Sequence, residues 1–238
     1  MNVLVNPGVT TMLVHNEWLL TPARIAVHLP TATAVLADLH LGYNDARRRD
    51  GEAVPPADLT LILAPLRQVL FTQTIQRVVI AGDLFEAGVN ADLAAELASW
   101  LIAAGVESAV VPGNHDRDLA NTPHGLPIHP DGCMVGRWRV VHGDGRLPDG
   151  PVVHGHEHPR VRWSSRVGGP CYLVGEERIV LPAFSEDAAG VNVIHTRKWR
   201  KYRCCVIAED HVLDFGELET LRKRLDRGPE RPRSMKHD

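Results

Sequence analysis

Three short runs of small and β-branched residues, Thr33-Ala34-Val35-Leu36-Ala37, Arg77-Val78-Val79-Ile80-Ala81 and Ser108-Ala109-Val110-Val111, constrain the fold more than any other feature of this chain. Each is continuous rather than alternating, the pattern of a strand buried on both faces, and each stops at residues with ligand or proton chemistry. Asp38-Leu39-His40 follows the first, Gly82-Asp83 the second, and Pro112-Gly113-Asn114-His115-Asp116 the third. Between them lie helical signals: Asp58 can cap a helix running to about Phe71 with a kink at Pro65, and Ala91 to Ala103 has helical spacing up to the break at Gly105. Strand, helix, strand alternation predicts right-handed crossovers and parallel pairing, which puts the three polar strand ends along one sheet edge.

The flanking regions read differently. Residues 11 to 28 alternate around Trp18-Leu19-Leu20 and Ile25-Ala26-Val27 and predict a hairpin with Thr21 to Arg24 as its turn. Asn44 to Glu52 reads as a charged loop. The second half carries short strand-like segments at 133–141, 151–154, 161–163, 171–174, 178–181, 191–194 and 202–208, separated by Gly and Pro. They predict a mostly antiparallel sheet packed on the first, followed by a helix from about Glu217 to Leu225. With no internal repeat and no linker, residues 1–226 are expected to form a single α/β domain, and the polar tail 227–238 to be disordered. A formal net charge of -3 gives no overall basic field, so any nucleic-acid contact must come from local patches. The N-terminus lacks a signal-peptide pattern and no run approaches the roughly 20 apolar residues that span a bilayer, so the chain is expected in the cytoplasm and away from membranes. Cys133, Cys171, Cys204 and Cys205 form no C-x-x-C and read as small buried strand residues.

Two further blocks, His142-Gly143-Asp144 and Gly155-His156-Glu157-His158, also follow apolar runs. Gly-Asn-His-Asp alone could be a turn, and a lone histidine is a weak signal. Together the blocks supply Asp38, His40, Asp83, Asn114, His142, His156 and His158, too many ligands for one ion. Two ions sharing a bridging carboxylate would each have four protein ligands and keep positions for water and substrate. The mixed N/O set suits Mn, Fe or Zn better than Mg or Ca, and it lacks the thiolates of a structural zinc site. A pair of ions about 3.5 to 4 Å apart can activate a hydroxide and neutralise a phosphoryl group.

The five blocks, in this order, resemble those of the calcineurin-like metallophosphoesterases: D-x-H, G-D, G-N-H-D/E, H and G-H-x-H. Within that superfamily the chain is most similar to the DNA-ligase-associated, PdeM-like members, through Leu36-Ala37-Asp38-Leu39-His40-Leu41-Gly42-Tyr43, Gly51-Glu52-Ala53-Val54-Pro55, Pro159 and Val180-Leu181-Pro182-Ala183-Phe184. The resemblance spans about residues 10–195 and implies a four-layer αββα sandwich, two mixed β-sheets flanked by helices. It implies that Asp38, His40 and His158 hold one metal, that Asn114, His142 and His156 hold the other, and that Asp83 bridges them. Two divalent ions are expected, manganese first, with iron or zinc as alternatives. By the same resemblance His115 protonates the leaving oxygen and Asp116 orients its ring. The implied substrate is a phosphodiester in a nucleotide or nucleic acid, and the implied partners are a DNA repair ligase or helicase. Two departures stand out: Glu86 occupies a position that is often His in that subgroup, and His142-Gly143-Asp144 stands where His-His-Pro is common. Gly82-Asp83-Leu84-Phe85-Glu86 is also similar to hydrolases of the UDP-linked lipid A precursor, which usually carry Arg in place of His115. That similarity makes pyrophosphate or monoester hydrolysis of a small or lipid-linked nucleotide the second reading, and a silent binding module with the same fold the third.

Other residues carry competing readings. His154 is expected to pack or support rather than ligate, and Glu157 to face solvent. Arg197-Lys198-Trp199-Arg200-Lys201-Tyr202-Arg203 has the composition of a single-strand nucleic-acid platform, yet an exposed basic hairpin is the favoured reading. Arg47-Arg48-Arg49 could line the entrance to the site or begin a solvated helix. Trp18, Trp100, Trp138 and Trp163 are expected in the core or on a sheet.

Overall fold

The computed structural model describes residues 2–6, 9–122, 125–162 and 168–226, so the tail from Arg227 and Trp163 lie outside the described residues. The chain enters as an antiparallel meander of β1 (Asn2–Asn6), β2 (Val9–Val14), β3 (Trp18–Leu20) and β4 (Ala26–His28), which includes the expected hairpin. It passes antiparallel into β5 (Thr33–Leu36), and β5, β6 (Arg77–Ala81) and β7 (Glu107–Val111) then pair in parallel, as their continuous apolar sequences predict.

The connections are helical: α1 (Tyr43–Arg49), α2 (Leu59–Ile62), α3 (Ala64–Thr72) and α4 (Ala91–Ala103). The expected charged loop is therefore corrected to a helix. Gly42, at a φ of 82°, turns the chain into it, and the three arginines of its last turn suit the helix dipole. Arg47 Nε donates to Glu52 Oε2 at 3.0 Å and Arg48 pairs with Asp45 at 3.6 Å, so two of the three are spent on local pairs. Asp58 does cap, accepting the Thr60 N–H at 2.8 Å, which is worth about 1 kcal/mol. Pro65 does not kink one helix. It stands in the first turn of a second one, where its missing N–H leaves no bond unmade.

The second half contains β8 (Cys133–Val135), β9 (Trp138–Val141), β10 (Val152–His154), β11 (Pro159–Arg162), β12 (Gly168–Val174), β13 (Arg178–Val180), β14 (Val191–Asn192), β15 (Arg203–Ala208) and β16 (His211–Glu217), then α5 (Leu218–Asp226). The expected strand 133–141 is a hairpin, and β16 was not expected because its apolar residues, Val212, Leu213 and Phe215, do not alternate. It pairs antiparallel with β15 and touches β2 through His211 and Thr10, so the two predicted sheets are joined along one hydrogen-bonded path. Pairing in this half is antiparallel except where β10 runs parallel to both β9 and β13, and β14 parallel to β11.

Side-chain alternation builds four layers from that path. On β5, Val35 points into the central core while Ala34 and Leu36 meet helix residues such as Leu63, Leu66, Leu97 and Leu101. On β12, Tyr172 and Val174 point into the same central core, whereas Cys171 and Leu173 meet Leu218 and Leu221 of α5. The order is helices, sheet, sheet, helix, with the central core sealed between the two halves. Fully burying each such aliphatic side chain contributes roughly 1.5–3 kcal/mol. The four cysteines are free and buried, and Trp18 and Trp138 lie in the central core, both as expected.

Candidate metal centre

Five strand ends converge at one edge of the sandwich. Asp38 and His40 follow β5, Asp83 follows β6, Asn114 and His115 follow β7, His142 follows β9, and His156 and His158 follow β10. Backbone bonds lock the loops together: the Asp38 N–H donates to Gly82 O at 3.1 Å, the His40 N–H to Asp83 O at 3.0 Å and the Gly155 N–H to His142 O at 2.9 Å. Two glycines make the approach possible. A Cβ on Gly82 would lie 1.9 Å from His142 Nδ1, and one on Gly113 would lie 2.2 Å from Asp83 Oδ1. Asp38, His40, Asp83, His156 and His158 all hold positive φ, between 40° and 68°. Such backbone costs roughly 1–3 kcal/mol per non-glycine residue, and its concentration on these five residues marks a functional site.

Among the described residues the ligand-type atoms form three groups, that of His40, Glu86 and His115 and two that share Asp83. In the first of these two, atoms of Asp38, His40, Asp83 and His158 lie within 4.8 Å of one another; in the second, atoms of Asp83, His142 and His156 do. Asn114 Oδ1 is 3.0 Å from His142 Nε2, which places the amide in the second group. His40 Nε2 faces His158 Nε2 at 3.4 Å, and His156 Nδ1 faces His142 Nε2 at 3.1 Å. The fully buried Asp38 leaves Oδ1, 3.5 Å from His142 Nδ1, without a hydrogen bond, and the buried His40 leaves Nδ1 without one. Imidazole nitrogens aimed at one another beside an unpartnered carboxylate oxygen fit shared cations, because each lone pair or proton there has a better use as a ligand. Burial lowers the His40 imidazole below its ordinary pKa against the pull of Asp38. Burial would also lower His158, but the Asp38 carboxylate overcomes it and raises that ring. A divalent cation would compete with a proton for His158.

The surrounding contacts orient the rings. His158 Nδ1 lies 2.8 Å from Ala189 O, His40 Nδ1 lies 2.8 Å from Glu86 Oε2, and His115 Nδ1 lies 2.7 Å from Glu86 O. The expectation that Asp116 orients His115 is corrected. The buried Asp116 carboxylate accepts the N–H groups of Gly113, Leu84 and Phe85 at 2.9, 3.0 and 3.1 Å, which pins the loop after β6 to the loop after β7. Burial lifts its pKa although these three bonds oppose the rise. A residue adjacent to His115 in sequence points away from its ring because the backbone amides of another loop claim it. His154 is buried, with Nδ1 3.1 Å from Gly155 O, and burial drives its pKa down to about 4. It belongs to none of these groups, as expected. Glu157 is not simply solvated, since it pairs with Lys198. In the basic stretch Trp199 is buried in the core under α5 and Tyr202 packs against it, so neither aromatic is free to stack on a base. Sequence reasoning missed Glu86, Ala189 and Lys198. Glu86 had stood out only as a departure, and a backbone carbonyl such as Ala189 leaves no mark on the sequence.

A groove of about 740 Å³ opens at His40 and runs past Tyr43, Pro55, Pro56, Leu61 and Ile62. Arg24 lies on its wall, donating to Phe184 O at 3.1 Å, and Asp58, Glu186, Asp187 and Glu209 line it as well. The walls are chiefly apolar and the charge is mixed, which suits an uncharged organic group better than a run of phosphates.

The family model for calcineurin-like phosphoesterases matches residues 32–166, which contain every residue of both ligand groups. No curated protein matches the chain. Among solved structures, the crystal structure of Pseudomonas putida nuclease MPE superposes with a TM-score of 0.67 at 20% identity, covering 90% of this chain and 98% of that one, a likeness of fold. No helix among the described residues is long and apolar enough to cross a membrane. With its strand-end histidines and carboxylates gathered into two groups about Asp83, and with the family model covering more than half its length, this chain belongs to the calcineurin-like phosphoesterases, metal-dependent hydrolases.

Proposed function

We propose that the protein hydrolyses phosphodiesters in nucleotides or nucleic acid at a two-ion centre. The observation that carries this reading is the pair of ligand groups sharing Asp83, with the ring of His115 held beside them through Nδ1. Asp38, His40 and His158 would hold one ion, Asn114, His142 and His156 the other, and Asp83 both. When bound, the two ions supply an activated water and neutralise charge on the phosphoryl group. Manganese is the ion we expect, with iron or zinc as alternatives for this N/O set.

The chain's own residues do the rest. His115 donates Nδ1–H to the Glu86 carbonyl, so Nε2 is the atom that would carry, in the imidazolium form, the proton needed by the leaving oxygen. The groove from His40 is of a size to take one organic group of the diester. The fold likeness to a nuclease and the similarity to DNA-ligase-associated members favour a nucleic-acid substrate and a place beside repair enzymes such as a ligase or helicase. Residues 1–226 would act as one domain.

The test is hydrolysis of a chromogenic phosphodiester and the matching monoester by metal-stripped protein, with Mn²⁺, Zn²⁺, Fe²⁺ and Mg²⁺ restored one at a time. Mn²⁺-dependent diesterase activity is the expected result. Activity confined to the monoester would shift the assignment to a phosphatase of small nucleotides.

A further inference from the structure

Glu86 lies three residues beyond Asp83 and holds two histidines through different atoms. Its carboxylate Oε2 is 2.8 Å from His40 Nδ1, a charge contact without hydrogen-bond geometry, while its main-chain oxygen is hydrogen-bonded to His115 Nδ1 at 2.7 Å. The backbone that carries it is fixed from both sides. The Glu86 N–H donates to Leu41 O at 3.0 Å, the Leu41 N–H donates to Leu84 O at 2.8 Å, and the N–H groups of Leu84 and Phe85 end on Asp116. The Glu86 side chain is 29% exposed, so the contact with His40 is partly shielded from water.

A neutral imidazole carries one N–H, and the acceptor beside one nitrogen decides which nitrogen keeps a lone pair. A carboxylate charge 2.8 Å from Nδ1 of His40 favours the proton on that atom and leaves Nε2, the atom that faces His158, as the ligand. The Glu86 carbonyl does the equivalent for His115 with no contribution from the side chain. We propose, resting on the two-ion reading above, that Glu86 is a positioning residue whose duties are divided between its atoms. The carboxylate sets the affinity of the ion held by Asp38, His40 and His158, and the carbonyl sets the orientation of His115.

Two other assignments compete. The carboxylate could act on His115, or His40, Glu86 and His115 could hold an ion of their own, since their ligand atoms also lie within 4.8 Å of one another. The geometry disfavours both: the carboxylate approaches His40 Nδ1 at 2.8 Å, and His115 Nδ1 is already committed to the carbonyl.

The experiment compares Glu86→Ala, Glu86→Gln and His115→Ala in the full chain. Mn²⁺ affinity is read by chelator competition, and rates at saturating metal are measured over diesters of graded leaving-group acidity. Glu86→Ala is expected to weaken one of two ions by roughly 10- to 100-fold, the usual effect of losing an outer partner of a ligating histidine. Its rates should keep the wild-type dependence on leaving group. Glu86→Gln should weaken that ion nearly as much, because the contact with His40 acts through charge rather than through a hydrogen bond. His115→Ala should do the reverse, leaving affinity intact and steepening the dependence on leaving group. Unchanged affinity in Glu86→Ala, a leaving-group dependence like that of His115→Ala, or a third ion per wild-type chain would each overturn the proposal. If Glu86→Ala fails to fold, the affinity of Glu86→Gln decides, and a wild-type value there overturns the proposal. Wild-type protein that binds two ions but cleaves no diester would defeat the proposed activity while the affinity comparison still judged Glu86.

Discussion

Two clusters of polar side chains tie the halves of the sandwich together, and they are built on opposite plans. Around Glu17 one carboxylate serves several donors: Oε1 accepts from Trp138 Nε1 at 2.6 Å and Arg137 Nε at 3.3 Å, and Oε2 lies 3.4 Å from His28 Nε2. The left-handed residues there, His15 and Asn16, belong to the hairpin turn between β2 and β3, where such backbone is ordinary. Around Asp83, histidine nitrogens face each other, Asp38 Oδ1 has no hydrogen-bond partner, and the left-handed residues sit at strand ends with no hairpin to explain them. The first cluster is a structural pin in which both carboxylate oxygens of Glu17 are engaged, although His15 Nε2 and Trp18 Nε1 beside it have no hydrogen-bond partner. The second is held in place by its surroundings for ligands that come from outside, and the difference teaches where this fold trades stability for function.

The contrast can be broken most sharply at Asp83. Asp83→Asn is expected to abolish binding of both ions and to lower diesterase turnover by roughly 10³-fold or more, since metal contributions run to several kcal/mol. Its metal-free melting temperature should stay near that of wild type, because the substitution removes a buried charge and keeps the volume. A large loss of metal-free stability would make Asp83 a structural residue.

Metal addition gives the next largest effect. Mn²⁺ at about 100 times its dissociation constant should stabilise wild-type protein by about 2.7 kcal/mol per ion in thermal unfolding. Asp83→Asn should show no such shift, and Glu17→Ala should show all of it. Glu17→Ala itself leaves Trp138 Nε1 and His28 without their acceptor and should cost about 1–3 kcal/mol in denaturant unfolding, with turnover retained at permissive temperature. Lost turnover at a temperature where the variant is folded would erase the distinction between the two clusters.

Acid should act on the Glu17 cluster in a defined direction. Burial lowers the His28 imidazole, with Glu17 opposing. Burial alone would raise Glu17, but its bonds to Trp138, Arg137 and His28 lower it. Both folded values lie below their unfolded ones, so the unfolded chain binds more protons. The His28 contribution is fully present above about pH 6.5 and is lost as pH falls through the folded value. The Glu17 contribution is present above about pH 4.5 and is lost below it. Metal-free stability measured between pH 7 and 4 should therefore fall, and Glu17→Ala should flatten the lower part of the curve. The smallest effect belongs to Lys198→Ala, which removes a surface pair with Glu157 and should change stability by about 1 kcal/mol or less.

Much of this was legible in the sequence, for physical reasons that also mark the limits. Val35 and its neighbours declared parallel buried strands because both faces need apolar residues, and the residues after each strand end then had to share an edge. Helix α1 was missed because its seven residues bury nothing: with no apolar face there is no periodicity to read, and local ion pairs stabilise it instead. Strand β16 was missed because Val212, Leu213 and Phe215 do not alternate along it and Leu213 is exposed. Asp116 was misassigned because adjacency to His115 says nothing about which amides reach its carboxylate from the neighbouring loop. Glu86 was visible only as an oddity, since its meaning depends on the direction of His40 Nδ1, a fact of three dimensions.

The most direct test of the central claim is the metal content of stripped wild-type protein after equilibrium dialysis against Mn²⁺, with Asp83→Asn in a parallel cell. Two ions per chain in the wild type and none in the variant are predicted. One ion or none in the wild type, or two retained by the variant, would contradict a centre in which Asp83 is shared.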